Sequence, residues 1–172
     1  CIFEMSQAIL SLLKFGEKEN NNGARESAIK CGDWILKQQA RSKDKNVDGL
    51  WITPEYGKNL VVISDTIESL WGILELYRHT QQKKYLRSSS RAFEAVQRAR
   101  VRPGNMWVSK GGIQARVYLD YNLKTRKYSL SMHRIIDDGT WYLFYKLTGR
   151  PTLIKDFRTQ CDEQMRYQTP DG

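Results

Sequence analysis

Two stretches of this 172-residue chain carry the same helix–turn–helix pattern, and this repetition restricts the folds that the chain can adopt. In residues 64–86 apolar side chains recur at helical spacing, a short polar turn follows, and a second apolar run begins. The same order returns in residues 138–154, where Thr148 matches Thr80 at an offset of 68 (148 minus 80). Repeated units of this kind predict a helical repeat fold, in which neighbouring hairpins bury each other's apolar faces.

The remaining periodicity predicts a mainly α fold with one β insertion. Helical spacing indicates helices at about residues 2–15, 25–39, 64–80, 84–100 and 137–148, and a sixth that begins near Pro151. Between the fourth and fifth helices, apolar and polar residues alternate, which is typical of a half-buried strand. A polar turn follows, so we expect a β-hairpin around residues 113–131.

Composition is that of an ordinary globular protein, apart from its charge. The chain is 40% hydrophobic and 27% charged, and it contains no apolar run of the roughly 20 residues that a transmembrane helix needs. The formal net charge is +9, with a concentration of Lys and Arg between Arg78 and Arg102. Such a surface attracts anions, which leaves an acidic polysaccharide, a nucleic acid or a merely solvated helix face as interpretations. Nucleic acid is the weaker choice because no nucleic-acid-binding motif accompanies the charge.

The loops after the second, fourth and sixth helices resemble one another. Each follows a glutamine (Gln39, Gln97 or Gln168) and contains turn residues, and in the first two copies a tryptophan comes next. The third copy reaches Gly172 before that aromatic residue. We therefore expect residues 1–172 to be one domain cut from a longer repeat domain. Its unpaired helix faces would be covered by the missing hairpins or by a partner subunit.

The start of the third helix resembles a segment of unsaturated glucuronyl hydrolases, in which an Ile-Asp-Thr run begins an inner helix and supplies a functional aspartate. Here the stretch from Val62 to Thr66 includes Ile-Ser-Asp-Thr, and its aspartate is Asp65. A second motif of that family, an acidic pair followed by Trp, is matched by Asp137-Asp138 and Trp141, although the Gly-Gln-Ala-Trp continuation is absent. More broadly, the hairpins and loops are similar to those of six-hairpin glycosidases, uronate epimerases and some polysaccharide lyases.

The resemblance implies both a fold and an activity. It implies helical hairpins of an incomplete (α/α) toroid in a single domain, and a carbohydrate as the partner. The implied activity is that of a glycoside hydrolase, or a related enzyme, acting on a glycan that contains uronate. Asp65 would be the functional acid carried over from the family.

Acidic residues near the starts of the inner helices are the candidates for this chemistry. Cleavage of a glycosidic bond uses two carboxyl groups, and a toroid gathers its inner-helix starts around one mouth. We therefore predict Asp65, Asp137 and Asp138 as catalytic residues and Glu68 as a substrate-binding residue. The structural alternative is helix capping, in which a side chain such as that of Ser64 or Asp65 accepts from the free N–H groups of the first turn.

Other candidates lie in or beside the loops. His133 precedes the fifth helix, and because histidine side chains commonly titrate near neutral pH, we predict it as an acid–base residue. Arg134 could bind a sugar carboxylate through two hydrogen bonds, or it could form an ion pair with Asp137 or Asp138. Flat rings stack on sugar faces, and this role is predicted for a set of four aromatic residues, Trp51, Tyr56, Trp107 and Trp141. The alternative is that these rings seal the hydrophobic core at the ends of the hairpins.

Several functions are disfavoured by missing motifs. The chain has no glycine-rich phosphate loop, no zinc-ligand spacing and no Gly-x-Ser-x-Gly, so we expect no metal and no cofactor. Two alternatives to an enzyme stay open. One is a non-enzymatic helical-repeat interaction module, and the other is a basic nucleic-acid-binding protein. The sequence leaves the compartment undetermined.

Overall fold

The computed structural model describes most of the chain and confirms the mainly α class. The described residues are 1–45, 47–53, 60–61, 63–99, 106–108, 114–122, 127–134, 138–155, 158 and 162. The helices are α1 (Ile2–Lys18), α2 (Asn22–Lys37), α3 (Ile63–Thr80), α4 (Lys83–Ala99) and α5 (Asp138–Thr148). The strands are β1 (Leu60–Val61), β2 (Met106–Val108), β3 (Gln114–Asn122) and β4 (Lys127–Arg134). Residues 151–155 are also helical, where a sixth helix was expected.

The helices form two layers of hairpins. α3 packs against α1 on one side and α5 on the other, and these three helices form the inner row. α2 and α4 are the hairpin partners of α1 and α3 and pack on the opposite side. Gly32 of α2 lies so close to Leu76 of α3 that a Cβ on the glycine would come within 2.1 Å of the leucine Cδ1. None of the described helices is long and apolar enough to cross a bilayer.

The inner helices α1 and α3 touch through a serine and a glycine. The Ser6 hydroxyl donates to the carbonyl oxygen of Ser69 at 3.2 Å and accepts from the Gly72 N–H at 3.2 Å. A Cβ on Gly72 would lie 2.4 Å from the Ser6 Oγ, so this close approach requires glycine. The contact fixes the height of the first hairpin against the second, which in turn sets the position of each inner-helix start.

The predicted repeat is confirmed at the level of single hydrogen bonds. At the end of α3 the Thr80 hydroxyl donates to the Leu76 carbonyl at 2.6 Å, and at the end of α5 the Thr148 hydroxyl donates to the Phe144 carbonyl at 2.7 Å. Each hydroxyl also accepts from the backbone N–H two residues further on. A threonine in this place satisfies a terminal carbonyl of its helix and orders the turn that follows.

The residue after each threonine adopts a left-handed conformation, which ends the helix. Gln81 has φ of 55° and donates its N–H to the Tyr77 carbonyl at 2.8 Å. Gly149 has φ of 66° and donates to the Tyr145 carbonyl at 2.7 Å. This is the usual way in which a helix C-terminus reverses the chain, and glycine is the residue that adopts it with least strain.

A clamp of polar contacts holds the loop after α2 against α4. The Gln39 amide donates to the carbonyl oxygens of Gly49 at 2.8 Å and Ser88 at 2.9 Å, and its oxygen accepts from the Ser88 hydroxyl at 2.9 Å. Gly49 has φ of 94°, and a Cβ there would lie 2.8 Å from the carbonyl oxygen of Arg91. The loop is therefore seated directly on the backbone of α4.

Asp48 provides the ionic part of this clamp. Its carboxylate pairs with the Arg91 guanidinium at 2.5 Å and accepts from the Ser42 N–H at 3.0 Å. The Ser42 hydrogen bond, together with the positive charges of Arg91 and Arg98, holds the pKa of Asp48 below its usual value, although partial burial acts in the opposite direction.

The predicted β-hairpin is confirmed, and it belongs to a small antiparallel sheet. β3 pairs with β4 from Ala115↔Arg134 to Asn122↔Lys127. β1 and β2 pair with opposite ends of β3. β1 leads into α3 through one residue and β4 leads into α5 through three, so the sheet lies at the N-terminal ends of these two inner helices.

The expected cap of α3 is corrected by the structure. α3 begins at Ile63, so Ser64 and Asp65 lie inside the first turn rather than at the cap. A sequence pattern locates the end of a helix only to within one or two residues. Here the β-branched residue Ile63 occupies the first helical position. An acid inside the first turn still interacts favourably with the helix dipole.

Replacing Gly149 by alanine should destabilise the protein by about 1 kcal/mol, because the left-handed backbone penalises a Cβ. Open space surrounds the new methyl group, with nothing within 4 Å, so the cost comes from the backbone alone. Gly139→Ala is the matched control, since it adds a methyl group in ordinary contact with Trp71 inside α5 and should stabilise by about 0.5–1 kcal/mol. Urea unfolding followed by circular dichroism measures both changes. Equal effects of the two substitutions would contradict the assigned turn.

Asp48→Asn should make stability less sensitive to acid. A carboxyl group with a depressed folded-state pKa contributes stability that is complete above its unfolded value of 3.8 and is lost as the pH falls through the lower folded value. The variant should therefore have a lower urea midpoint at about pH 6, with a smaller further loss between about pH 4 and pH 2. Parallel pH curves for the variant and the parent protein would show that the clamp contributes nothing through its charge.

Candidate functional site

Asp65 is the best-defined candidate residue, and its carboxylate is buried. It lies in the first turn of α3, only 6% of the residue is exposed, and it accepts a hydrogen bond of 2.5 Å from the Thr53 hydroxyl. Thr53 is itself buried. A buried carboxyl group needs such donors, because burial without them is costly. The site therefore depends on the loop segment that brings Thr53 to the start of α3.

The neighbouring residues attach that loop to α3. The Thr66 hydroxyl accepts from the Trp51 N–H and donates to the Trp51 carbonyl oxygen, each at 3.2 Å. One threonine side chain thus satisfies both backbone groups of Trp51. Trp51 also forms an antiparallel bridge with Gln39, so the loop is fixed at two points.

One stripe of α3 faces away from the outer helices. Glu68, Trp71, Glu75 and Arg78 follow one another at intervals of three or four residues, and so share a helix face opposite Ile73 and Leu76. Trp71, Glu75 and Arg78 line a groove of about 340 Å³ between α1 and α3. The remaining walls of this inner groove are Leu10, Leu13, Lys14, Glu17 and His79. Trp71 is 38% exposed and offers an aromatic surface there.

The start of α5 lies beside Trp71. A Cβ on Gly139 would be 3.8 Å from the Trp71 ring, so the first turn of α5, which Asp138 begins, meets α3 near its middle. Tyr142, one turn further along α5, is 47% exposed. The start of α5 thus packs against the middle of α3, six residues beyond Asp65 (71 minus 65).

The sheet delivers three further candidates to this end of the helices. In the register of β2, β3 and β4, Trp107 pairs with Ala115, which pairs with Arg134. His133 lies in the next cross-strand row, opposite Arg116. Trp107 and Arg134 therefore occupy one row of the sheet that leads into α5. Two predicted residues, Tyr56 and Asp137, lie outside the described residues.

Two of the predicted sugar-stacking residues are corrected. Trp51 is fully buried and Trp141 is 1% exposed, so neither ring can meet a sugar face. Trp141 packs edge-on against Phe93 with ring centroids 5.0 Å apart, and Phe93 packs in the same way on Phe144. The alternative role, in which the rings seal the hydrophobic core at the hairpin ends, is confirmed for Trp51 and Trp141. A ring in that position gains more free energy by burial in the core than by facing water.

Sequence reasoning missed the aromatic residues that are exposed near the mouth. Trp71 lies within the apolar pattern of residues 64–86 and Tyr142 within that of residues 138–154, so neither was predicted as a site residue. A signal was present, because Trp71 shares its stripe with Glu75 and Arg78, and a stripe that carries charges at these positions meets water. Among the described residues, no group of three His, Cys, Asp or Glu side chains is close enough together to hold a metal ion.

Comparison with known proteins identifies a fold but no family. No protein-family model and no curated protein matches the chain. Among solved structures, it is similar to an α-mannanase of glycoside hydrolase family 76 from Bacteroides thetaiotaomicron, with 12% identity and a TM-score of 0.68, over 92% of this chain and 42% of that one. It is also similar to a family 76 glycoside hydrolase from a bovine strain of that organism, with 12% identity and a TM-score of 0.69, over 92% and 33%.

The likeness confirms the toroid fold class. The helical hairpins are those of the (α/α) toroid found in family 76 glycoside hydrolases, rather than a feature of unsaturated glucuronyl hydrolases in particular. This chain spans less than half the length of either neighbour.

Replacing either Trp51 or Trp71 by alanine should distinguish the buried ring from the exposed ring by the size of the loss in stability. Trp51→Ala should lower the free energy of unfolding by about 3–5 kcal/mol, because it opens a cavity in the core. Trp71→Ala should cost clearly less, since much of that ring already meets water. Chemical denaturation measures both. A larger loss for Trp71 than for Trp51 would reverse the assignment of core and surface.

Proposed function

We propose that this chain belongs to a carbohydrate-active enzyme that hydrolyses glycosidic bonds with carboxylate chemistry. The observation that carries the proposal is Asp65, a buried and hydrogen-bonded carboxylate at the first turn of an inner helix of a toroid fold. Asp138 begins a second inner helix, α5, whose next residue, Gly139, packs against Trp71 of α3. The fold likeness to glycoside hydrolases supports the same reaction class, although each of those proteins is more than twice as long.

The proposed mechanism divides the work between two carboxyl groups. One protonates the oxygen of the leaving sugar, and the other either attacks the anomeric carbon or removes a proton from the water that does so. Asp65 is assigned the acid role in this proposal, because one of the two carboxyl groups of such a pair is often kept protonated by its surroundings. Asp138, with Asp137 before it, is assigned the base or nucleophile role. His133 is proposed to assist proton transfer.

The proposed substrate is a glycan that contains uronate. Arg134 would bind the sugar carboxylate through two parallel hydrogen bonds, since a planar guanidinium matches a planar carboxylate. Trp107 occupies the same cross-strand row of the sheet and is proposed to stack on the sugar, as is Tyr56. Glu68 on the inner stripe would accept hydrogen bonds from sugar hydroxyl groups. Trp71 replaces Trp51 and Trp141 as a stacking residue because its ring is exposed.

A helical-repeat interaction module is the second candidate function. It is favoured by the exposed aromatic residues on the inner helices, Phe15, Trp71 and Tyr142. Further hairpins of a longer toroid, or a partner subunit, would cover them in either case. The two functions differ in their need for Asp65, which a binding surface could lose without consequence.

The substitution Asp65→Asn tests whether the protein has glycosidase activity that depends on the carboxyl group of Asp65. It keeps an acceptor for the Thr53 hydroxyl but removes the acid, so turnover should fall by about 100-fold or more while the melting temperature changes little. The measurement is release of reducing sugar from a panel of oligouronates, α-mannan and a neutral β-glucan. The α-mannan arm is included because one structural neighbour is an α-mannanase.

Asp33→Asn is the matched control. Asp33 lies on α2, where its carboxylate pairs with Lys84, so the same chemical change is made in the outer layer. Turnover should survive this substitution. Equal turnover of the parent protein and Asp65→Asn would refute the catalytic assignment. A stable parent protein with no turnover on any glycan would favour the interaction module.

A further inference from the structure

The described part of the chain contains one groove whose lining charge is entirely positive. It lies between α2, the loop after it and α4, and its volume is about 330 Å³. The residues that line it are Leu36, Gln39, Arg41, Lys84, Arg87, Ser88 and Arg91. We call this the basic groove. The inner groove, in contrast, combines Lys14 and Arg78 with the acids Glu17 and Glu75, so its charges compensate one another.

The cations of the basic groove come from two elements. Lys84, Arg87 and Arg91 recur at intervals of three and four residues and form a stripe on α4. Arg41 comes from the loop after α2. The positive charge therefore lines one groove rather than only one exposed helix, which strengthens its field.

Two of these four cations are already engaged. Lys84 pairs with Asp33 at 2.5 Å, and Arg91 pairs with Asp48 at 2.5 Å. Burial raises the pKa of Asp33, but hydrogen bonds from Lys84 and Tyr85 outweigh it, so that the pKa is lowered and Asp33 stays ionised. These acids lie at the edges of the groove and are not among its lining residues. Their effect is to fix the outer two cations in place.

Arg41 and Arg87 are the cations left for a ligand. Neither forms an ion pair with any described residue, and they come from different elements, the loop after α2 and α4. A guanidinium group offers a planar fork of donors, which fits a carboxylate, sulfate or phosphate oxygen pair. Two such groups in one groove can bind one anion together.

The floor of the groove is rigid and polar. The side chains of Gln39 and Ser88 bond to each other, and the Gln39 amide also donates to the Ser88 and Gly49 carbonyl oxygens. A floor whose donors and acceptors are already paired does not have to rearrange when a ligand binds. Preorganisation of this kind lowers the entropic cost of binding.

We propose that the basic groove binds the anionic groups of an acidic glycan, through Arg41 and Arg87. The choice of a glycan as the carrier of the anion rests on the proposed function. It is supported by position, because the loop that carries Arg41 continues to Thr53, which contacts Asp65 at the mouth. Nucleic acid is less favoured since no aromatic side chain lines the groove, and single-stranded nucleic acids bind through stacked bases.

The test compares two double variants that have the same net charge. Arg41→Gln with Arg87→Gln removes the two available guanidinium groups from the groove. Lys30→Gln with Lys146→Gln removes two exposed charges elsewhere, on α2 and α5. Binding of polygalacturonate, dextran sulfate, neutral dextran and a single-stranded oligonucleotide is measured by calorimetry at fixed salt concentration.

The expected result is a loss of affinity for both acidic glycans of about tenfold or more in the arginine variant, with little change in the lysine variant. The two acidic probes distinguish carboxylate from sulfate as the preferred group. Equal losses in both variants would overturn the proposal, because net charge alone would then explain binding. Equal binding of neutral dextran, or tighter binding of the oligonucleotide through the same arginines, would also overturn it.

A conservative pair keeps the proposal testable if the glutamine variant fails to fold. Arg41→Lys with Arg87→Lys preserves charge but loses the planar fork, so affinity should fall while the melting temperature stays the same. Unchanged affinity in this pair would refute the guanidinium contacts. Asp65→Asn is measured beside it and should bind the glycan normally. The binding site and the proposed catalytic site can therefore fail independently of each other.

Discussion

The two hydrogen bonds between Thr66 and the backbone of Trp51 are the contact on which both sites depend. They attach the loop after α2 to the first turn of α3, and they leave no unpaired backbone group at Trp51. Because the loop is held there, Thr53 reaches Asp65 on one side. On the other side, Gln39 and Arg41 are held against α4. A single threonine therefore links the acidic mouth to the basic outer surface.

The fold tolerates this arrangement because its hairpins are fixed by local rules. The turns after α3 and α5 each use a threonine hydroxyl bonded to the carbonyl four residues before it, and then one left-handed residue. The close contact of Ser6 with Gly72 sets how neighbouring hairpins meet. Turns and contact together fix the hairpins against one another. The loop after α2 can then bring Thr53 to the acid in the first turn of α3.

Sequence alone could predict the parts of this structure that depend on local pattern. The offset of 68 between the two hairpins could be seen because the same threonine, which makes the same hydrogen bonds, recurs in both turns. The β-hairpin could be seen because apolar and polar residues alternate along a half-buried strand. Burial of the aromatic residues was not visible. Helical spacing defines faces but does not say which face meets the outer layer, so neither the burial of Trp141 nor the exposure of Trp71 could be predicted from it. The sugar-stacking role predicted for Trp51 and Trp141 was therefore wrong. The start of α3 was also displaced, because Ile63 gives no capping signal.

The distribution of charge around the loop after α2 has a consequence for ligand binding. Asp65 is buried at one end of the segment, where it accepts a hydrogen bond from the Thr53 hydroxyl. Arg41 and Arg87 face solvent at the other end, where water and salt weaken their attraction. An acidic polymer would first be attracted by the outer cations, and its sugars would meet the acids only where the polymer is desolvated. The basic groove would therefore govern the rate of association, while the geometry of the mouth would govern the chemistry.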